Sequence, residues 1–174
     1  GFSGAGIALS DVVGVRIVHN TIANNDNTSY AALAGGGTNL STPSAGGIIA
    51  RANNPDLAAA SGVAFANPVL VDNIIWHNRS FIYDTTLNGG LGGLYADPVS
   101  PYWDLQVFGL PAGTRMNPLS CLLSDDVASG DPHNGGIAYD ASNLYGDPDF
   151  LSPFLNTISV APNLLTPTFS PVTP

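Results

Sequence analysis

Glutamate and lysine are absent from this chain. All 13 acidic residues of its 174 are Asp, all 4 basic residues are Arg, and the net charge is −9. Gln occurs once, at Gln106, and Met once, at Met116. Since the straight-chain residues that build solvent-facing helices are almost all missing, a mostly helical fold is disfavoured. The scarcity of cations argues against a nucleic-acid partner, because phosphates are neutralised by Lys and Arg. Disorder is excluded from the other side: 44% of the residues are hydrophobic and 10% charged, which is too apolar for a chain that stays unfolded. The single cysteine, Cys121, cannot close an internal disulfide and has no partner for a zinc cluster. It reads as a small buried hydrophobe, with a reactive thiol as the alternative. No run approaches the roughly 18 apolar residues of a membrane helix, and no basic, apolar signal segment opens the chain. Gly1 to Asp11 reads like the interior of a repeat, so a fragment or processed piece with its export signal elsewhere is expected.

What is abundant is Asn, Gly, Pro, Ser and Thr, which favour turns, alongside Val, Ile and aromatics, which favour strands. The clearest pattern is a repeat. Ile17 to Asn25 (IVHNTIANN) matches Leu70 to Asn78 (LVDNIIWHN) at a constant offset of 53 residues. Gly6-Ile7-Ala8 and Gly47-Ile48-Ile49 precede the two copies. The spacing does not suit an amphipathic helix; it suits a short strand, a corner, a short strand and a corner. Stacked units would place Asn20 over Asn73 and Asn25 over Asn78, with side-chain amides laddered at the corners, and Ile22 over Ile75 inside. Asn suits such a corner because it tolerates the left-handed region and bonds locally. With strands roughly 4.8 Å apart, Asp26 then faces Arg79, an ion pair worth about 0 to 1 kcal/mol if exposed. His19 faces Asp72, which has the look of a base with its orienting acid but lacks a nucleophile, so an ordinary outer-face pair is expected. Tyr30 faces Tyr83 as packing, unless the insertion after Asn25 breaks the register.

These residues resemble the coils of secreted right-handed parallel β-helix proteins, the pectin-lyase-like fold. The resemblance spans roughly Gly4 to Tyr83. The implied fold class is all-β, a right-handed parallel β-helix (solenoid) with long inserted loops and an irregular C-terminal cap or tail. Tyr102-Trp103-Asp104-Leu105 with Phe108-Gly109, and Gly146-Asp147-Pro148-Asp149-Phe150, are similar to the closing region of large secreted bacterial surface proteins of this kind. The fold hosts polysaccharide lyases, hydrolases, adhesins and structural proteins alike. Three spans follow: 1–87 as coils with two inserted loops, 88–160 as an irregular closing region, and 161–174 as a Pro/Thr/Ser-rich tail or linker.

The insertions, 26–45 and 52–68, lack strand alternation and are long enough to be functional or mobile. Ala31 to Leu33 and Leu57 to Ala60 are candidates for short helical turns. Gly35-Gly36-Gly37 lacks the strand-Gly-helix context and the Lys of a phosphate cradle. Tyr95, Tyr102, Trp103 and Phe108 offer either a sugar-binding platform or the apolar plug that closes a solenoid end; the plug is the reading taken.

Glycosidase chemistry needs two carboxylates a fixed distance apart, and Asp125-Asp126 is the one adjacent pair. β-helix hydrolases carry an Asn-Thr-Asp segment, an Asp-Asp pair, a Gly-His-Gly and an Arg-x-Lys; this chain has only the Asp-Asp. Lyase relatives use Arg or Lys beside carboxylate-bound calcium, and Arg16, Arg51, Arg79 and Arg115 lack that motif context. Asp125, Asp126 and Asp131 with backbone carbonyls are the candidate metal ligands, for calcium, with a solvated loop as the alternative. His19, His77 and His133 lack metal-binding spacing. Gly130-Asp131-Pro132-His133 matches a short motif at which some extracellular proteins cleave themselves; the alternative is an Asp-Pro turn like Asp97-Pro98 and Asp147-Pro148.

The expected function is a non-catalytic structural or adhesive module at the cell surface or outside the cell, with a polysaccharide or another chain continuing the β-helix as partner. The alternative is a carbohydrate-active enzyme, a lyase or hydrolase, with its site in upstream coils or the inserted loops. The exposed first coil also suits a filament or assembly subunit.

Overall fold

The computed structural model describes residues 5–29, 38–124 and 130–151. Tyr30, Ala31 to Leu33, Gly35 to Gly37, Asp125, Asp126 and the tail 161–174 lie outside the described residues.

The chain is mostly β, about 35% strand and 10% helix, as the excess of turn and strand formers over helix formers dictates. Its strands are short. The first passage supplies β1 (Ile7–Leu9), β2 (Arg16–Val18), β3 (Thr21–Ala23) and β4 (Asp26–Asn27). The second supplies β5 (Ile48–Arg51), β6 (Val69–Val71), β7 (Ile74–Trp76) and β8 (Arg79–Asp84), followed by β9 (Gly93–Ala96). The third supplies β10 (Leu105–Phe108), β11 (Pro118–Leu119) and β12 (Leu122–Leu123), and β13 (Leu144–Tyr145) comes last. Equivalent strands of successive passages lie side by side, in the orders β1-β5-β10, β2-β6-β11 and β3-β7-β12-β13, with β4-β8-β9 as the fourth sheet. Every pairing between these strands is parallel except β8 with β9.

The register is the one the repeat predicts. Ile17 pairs with Leu70, Ile22 with Ile75 and Asp26 with Arg79, and Ile7 pairs with Ile48 despite the insertions between the copies. Inward side chains therefore stack in columns. Ile22, Ile75 and Leu123 form one, Ile48 and Leu105 belong to another, and the cluster closes around Leu70, Met116 and Cys121. Ile75, enclosed between its neighbours, is fully buried.

The glycines that precede each copy have a steric reason. A Cβ on Gly6 would stand 2.7 Å from Asn25 Nδ2, and one on Gly47 would stand 3.0 Å from Asn78 Nδ2 and closer still to the Asp104 carbonyl oxygen. The Gly-Ile start and the Asn corner of each unit thus meet in space.

The second insertion folds outside the core. Asn54 caps α1 (Pro55–Ser61) by accepting from Leu57 N–H at 2.9 Å, Pro55 opens it, and Gly62 ends it with φ of 71°. These are ordinary start and stop signals, and none of its residues is buried. The short helical turn expected at Leu57 to Ala60 lies within it. The span 88–160, expected to be irregular, contributes β9 to β13, at least one strand to each of the four sheets. Among the described residues no helix is long and apolar enough to cross a membrane.

Candidate functional site

The corners carry two side-chain columns. In the first, Asn73 Oδ1 accepts from the Asn20 backbone N–H at 2.9 Å, while its Nδ2 donates to the Ile17 carbonyl at 2.8 Å. Cys121 and Asn143 extend it: Asn73 N–H approaches Cys121 Sγ at 3.4 Å, and Cys121 N–H donates to Asn143 Oδ1 at 2.9 Å. In the second column, Asn78 Oδ1 accepts from Asn25 N–H at 3.2 Å and Asn25 Nδ2 at 2.8 Å. Asn78 Nδ2 donates to the Ile22 carbonyl and to Asp104 Oδ1, at 2.9 and 2.7 Å.

The ladder forms at the expected residues, but left-handed backbone is not why Asn is there. Positive φ falls one position earlier, on His19, Asn24, Asp72, His77 and Ser120, so the ladder residues are chosen for their paired donor and acceptor. Sequence reasoning missed the third and fourth rungs. Pro118 to Ser124 (PLSCLLS) aligns with Leu70 to Trp76 (LVDNIIW), with Cys121 in the Asn position. A pattern that required Asn could not find it.

Asp26 and Arg79 meet as expected, with a stronger geometry. Arg79 Nε donates to Asp26 Oδ1 at 2.6 Å and Nη2 to Oδ2 at 2.7 Å. Their side chains are only 7% and 10% exposed, so the exposure that would make the pair weak is not met. His19 and Asp72 also meet, at 3.9 Å between Nε2 and Oδ2, but both are well exposed.

Beside the second column lies a cleft lined by Tyr102, Asp104, Ser124, Asp131, Tyr139 and Tyr145. The chain near Asp104 is held from both sides, since Trp103 N–H donates to the Asn78 carbonyl and Ile48 N–H to the Asp104 carbonyl. Asp104 thereby fills the rung above Asn78. Its Oδ2 accepts from Ser124 Oγ at 2.5 Å, and the same Oγ accepts from His77 N–H at 2.8 Å. Opposite, Asp131 Oδ2 accepts from the Tyr139 hydroxyl at 2.9 Å. Burial pushes the Tyr139 hydroxyl well above the usual tyrosine pKa; the negative charges of Asp131 and then Asp104 act the same way. It stays a protonated donor at neutral pH. The water-accessible space of the cleft is about 20 Å3, room for one or two waters and far below the roughly 300 Å3 of a small-molecule site.

Aromatic and imidazole rings wall the neighbourhood. His77 lies between Trp76 and Tyr102, with centroids 3.5 and 3.8 Å away, and His133 lies flat on Trp103 at 3.9 Å. The His133 side chain is 5% exposed, and its Nε2 stands 3.8 Å from Asp97 Oδ2. Tyr95, Tyr102, Trp103 and Phe108 do not share one platform. Tyr95 pairs opposite Ile82, Tyr102 and Trp103 stack on different histidines, and Phe108 lies under the Arg51 guanidinium at 5.0 Å.

Of the calcium candidates, Asp131 has both carboxylate oxygens occupied by internal donors, and Asp125 and Asp126 are outside the described residues. Among the described residues no group of three or more His, Cys or Asp is placed to hold a metal ion. All three Asp-Pro sites are Asp-headed turns, in which the carboxylate accepts from the N–H two residues on. Compared with protein-family models, curated proteins and solved structures, the chain has no match.

Proposed function

We propose that these stacked sheets are successive coils of a right-handed parallel β-helix of the pectin-lyase-like type. Its role in this reading is that of a structural or adhesive module of an extracellular protein. The observation that carries the reading is the continuity of the ladder. One corner residue per passage, from Asn20 through Asn73 and Cys121 to Asn143, joins its neighbours across three pairs of strands. Such a column ties each passage to the next in fixed register and stiffens the stack along its length, which is what a rod-like module requires.

The polar groups around the cleft support the same reading. Asp104 and Asp131 hold Asn78, Ser124 and Tyr139 in place. A general acid and base would instead face a substrate-sized space. The β1, β2, β3 and β4 edges, each paired on one side only among the described residues, suit a further coil or another chain in parallel register. The carbohydrate-active alternative is favoured by one feature, two carboxylates lining a common cleft.

Incubation with acidic and neutral polysaccharides separates the two readings. The structural module binds or ignores them without generating reducing ends or unsaturated products. Turnover that disappears in Asp104→Ala or Asp126→Ala, with the fold retained by circular dichroism, overturns it.

A further inference from the structure

The peptide bond between Asp131 and Pro132 is in a different setting from the chain's other Asp-Pro bonds. Asp97 Oδ1 accepts from Val99 N–H at 2.9 Å, Asp147 Oδ1 from Asp149 N–H at 2.8 Å, and Asp131 Oδ1 from His133 N–H at 2.8 Å. The three share that turn. Only at Asp131 does the main-chain carbonyl itself also accept two backbone N–H groups, from Asn134 and Gly136, each at 3.0 Å. Neither Asp97 nor Asp147 has such a pair among the described residues.

The loop around this carbonyl is closed tightly. Asp131 bridges to Ile137, and a Cβ on Gly130 would collide with the Gly136 carbonyl. His133 is pinned on Trp103, and Gly135 turns the chain with φ of 71°. The carboxyl is fixed as well, by His133 N–H on Oδ1 and by Asn134 Nδ2 and the Tyr139 hydroxyl on Oδ2, at 3.2 and 2.9 Å. Two amide dipoles aimed at one carbonyl oxygen stabilise negative charge developing there. A tethered carboxyl that closes a five-membered ring on that carbonyl reacts at a high effective concentration.

We propose that the chain cleaves its own Asp131–Pro132 bond in mildly acidic conditions, using the Asp131 carboxyl as nucleophile and the Asn134 and Gly136 N–H groups as an oxyanion hole. The protonated carboxyl attacks the Asp131 carbonyl carbon, forming a C–O bond. The oxyanion is held by the two amides while the carboxyl proton passes to the Pro132 nitrogen. The C–N bond breaks with its electron pair on nitrogen, leaving a cyclic anhydride on Asp131 and a secondary amine on Pro132. One water opens the anhydride, restoring the side-chain carboxyl and leaving a free main-chain carboxyl, so the net change is hydrolysis of one peptide bond. Acid accelerates the reaction because the attacking group is the protonated carboxyl. The charged or titratable groups facing it are Tyr139, His133 within the same turn, Asp104 beyond Tyr139, and Arg115. The Arg115 guanidinium lies 5.6 Å over the Tyr139 ring and donates to the Ile137 and Ala138 carbonyls.

The inference is independent of the structural or adhesive reading, and the two other Asp-Pro bonds are its internal controls. The purified chain is held in mildly acidic buffer and followed by intact mass and N-terminal sequencing. Fragments 1–131 and 132–174 are expected to appear on the order of 10-fold faster, or more, than fragments ending at Asp97 or Asp147. In concentrated guanidinium at the same pH the three bonds become equivalent. Asp131→Ala abolishes the split. Pro132→Ala, which keeps the Asp131 carboxyl and its bond from His133 N–H, slows it, and this second variant gives a readout even where Asp131→Ala folds poorly. Absence of a new Pro132 terminus, equal rates at all three bonds in the folded chain, or undiminished splitting in Asp131→Ala overturns the proposal.

Discussion

Replacing Asn78 by Ala probes the corner ladder at its most enclosed rung. The residue is fully buried, and its amide makes four contacts. Its oxygen accepts from the Asn25 backbone and side chain, and its nitrogen donates to the Ile22 carbonyl and to the Asp104 carboxylate. Truncation removes one partner from each. A neutral bond contributes about 1 kcal/mol net and one to a charged group about 1.5 to 3, with a further cost where a buried group is left unsatisfied. Asp104 keeps the Asn78 N–H and Ser124 Oγ, and Asn25 Nδ2 is only half-buried and can turn to water, so we count the Ile22, Asn25 N–H and Asp104 bonds. The expected loss is about 3 to 5 kcal/mol, a large part of the 5 to 15 kcal/mol of a typical domain. Asn20 is the contrasting rung: it is exposed, and its amide donates to Val18 two residues away, with only a 3.5 Å approach to Asn73. Asn20→Ala should cost under about 1 kcal/mol. Urea unfolding of both variants measures the difference, with midpoint shifts at unchanged slope. Equal losses in the two variants would refute the ladder as the element that joins the passages.

Two further outcomes follow from the site geometry. Asp26→Asn leaves the buried Arg79 guanidinium without its bidentate carboxylate, so thermal unfolding should reveal a loss of about 3 kcal/mol, where a surface pair would give less than about 1. The Tyr139 hydroxyl is raised in the folded chain by burial, then by Asp131 and Asp104, so the fold favours the neutral phenol. The associated stability is complete below the unfolded pKa of about 10 and is lost as pH rises through the folded value. Melting temperature should therefore fall more steeply above pH about 10 in the native chain than in Tyr139→Phe; parallel curves would contradict this assignment.

Much of the architecture was legible because a stacked repeat writes its register into the sequence. The aliphatic-Val-x-Asn-x-Ile-x-x-Asn match placed Ile22 over Ile75 and Asp26 beside Arg79, since parallel strands of equal spacing keep every column together. The signal failed where chemistry was conserved by a different residue type. Cys121 can accept from Asn73 N–H through sulfur, and Asp104 can receive the Asn78 amide, but neither looks like Asn in a pattern. The cleft was invisible for another reason: Asp104, Ser124, Asp131 and Tyr139 come from three separated segments, and no spacing rule relates them. Asp131 was legible as a residue of interest but not in its role, because the donors that occupy its carboxylate include Tyr139, eight residues on.

The sequence by itself determined the strand-and-corner character of the chain and the register of its first two passages. Missing Glu and Lys removed the helix formers, and side-chain alternation leaves only one way to bury Ile17, Ile22, Leu70 and Ile75 together. Tertiary structure decided which polar side chains are buried and paired. The burial of Arg79 and Asp26 was open in the sequence and is settled by their place between adjoining strands, where Arg79 also bridges to Tyr102, and the Asp131–Pro132 bond reads like its two counterparts until the folded loop brings Asn134 and Gly136 onto its carbonyl. Burial and hydrogen-bond direction depend on segments distant in the chain, and a local pattern carries no record of them.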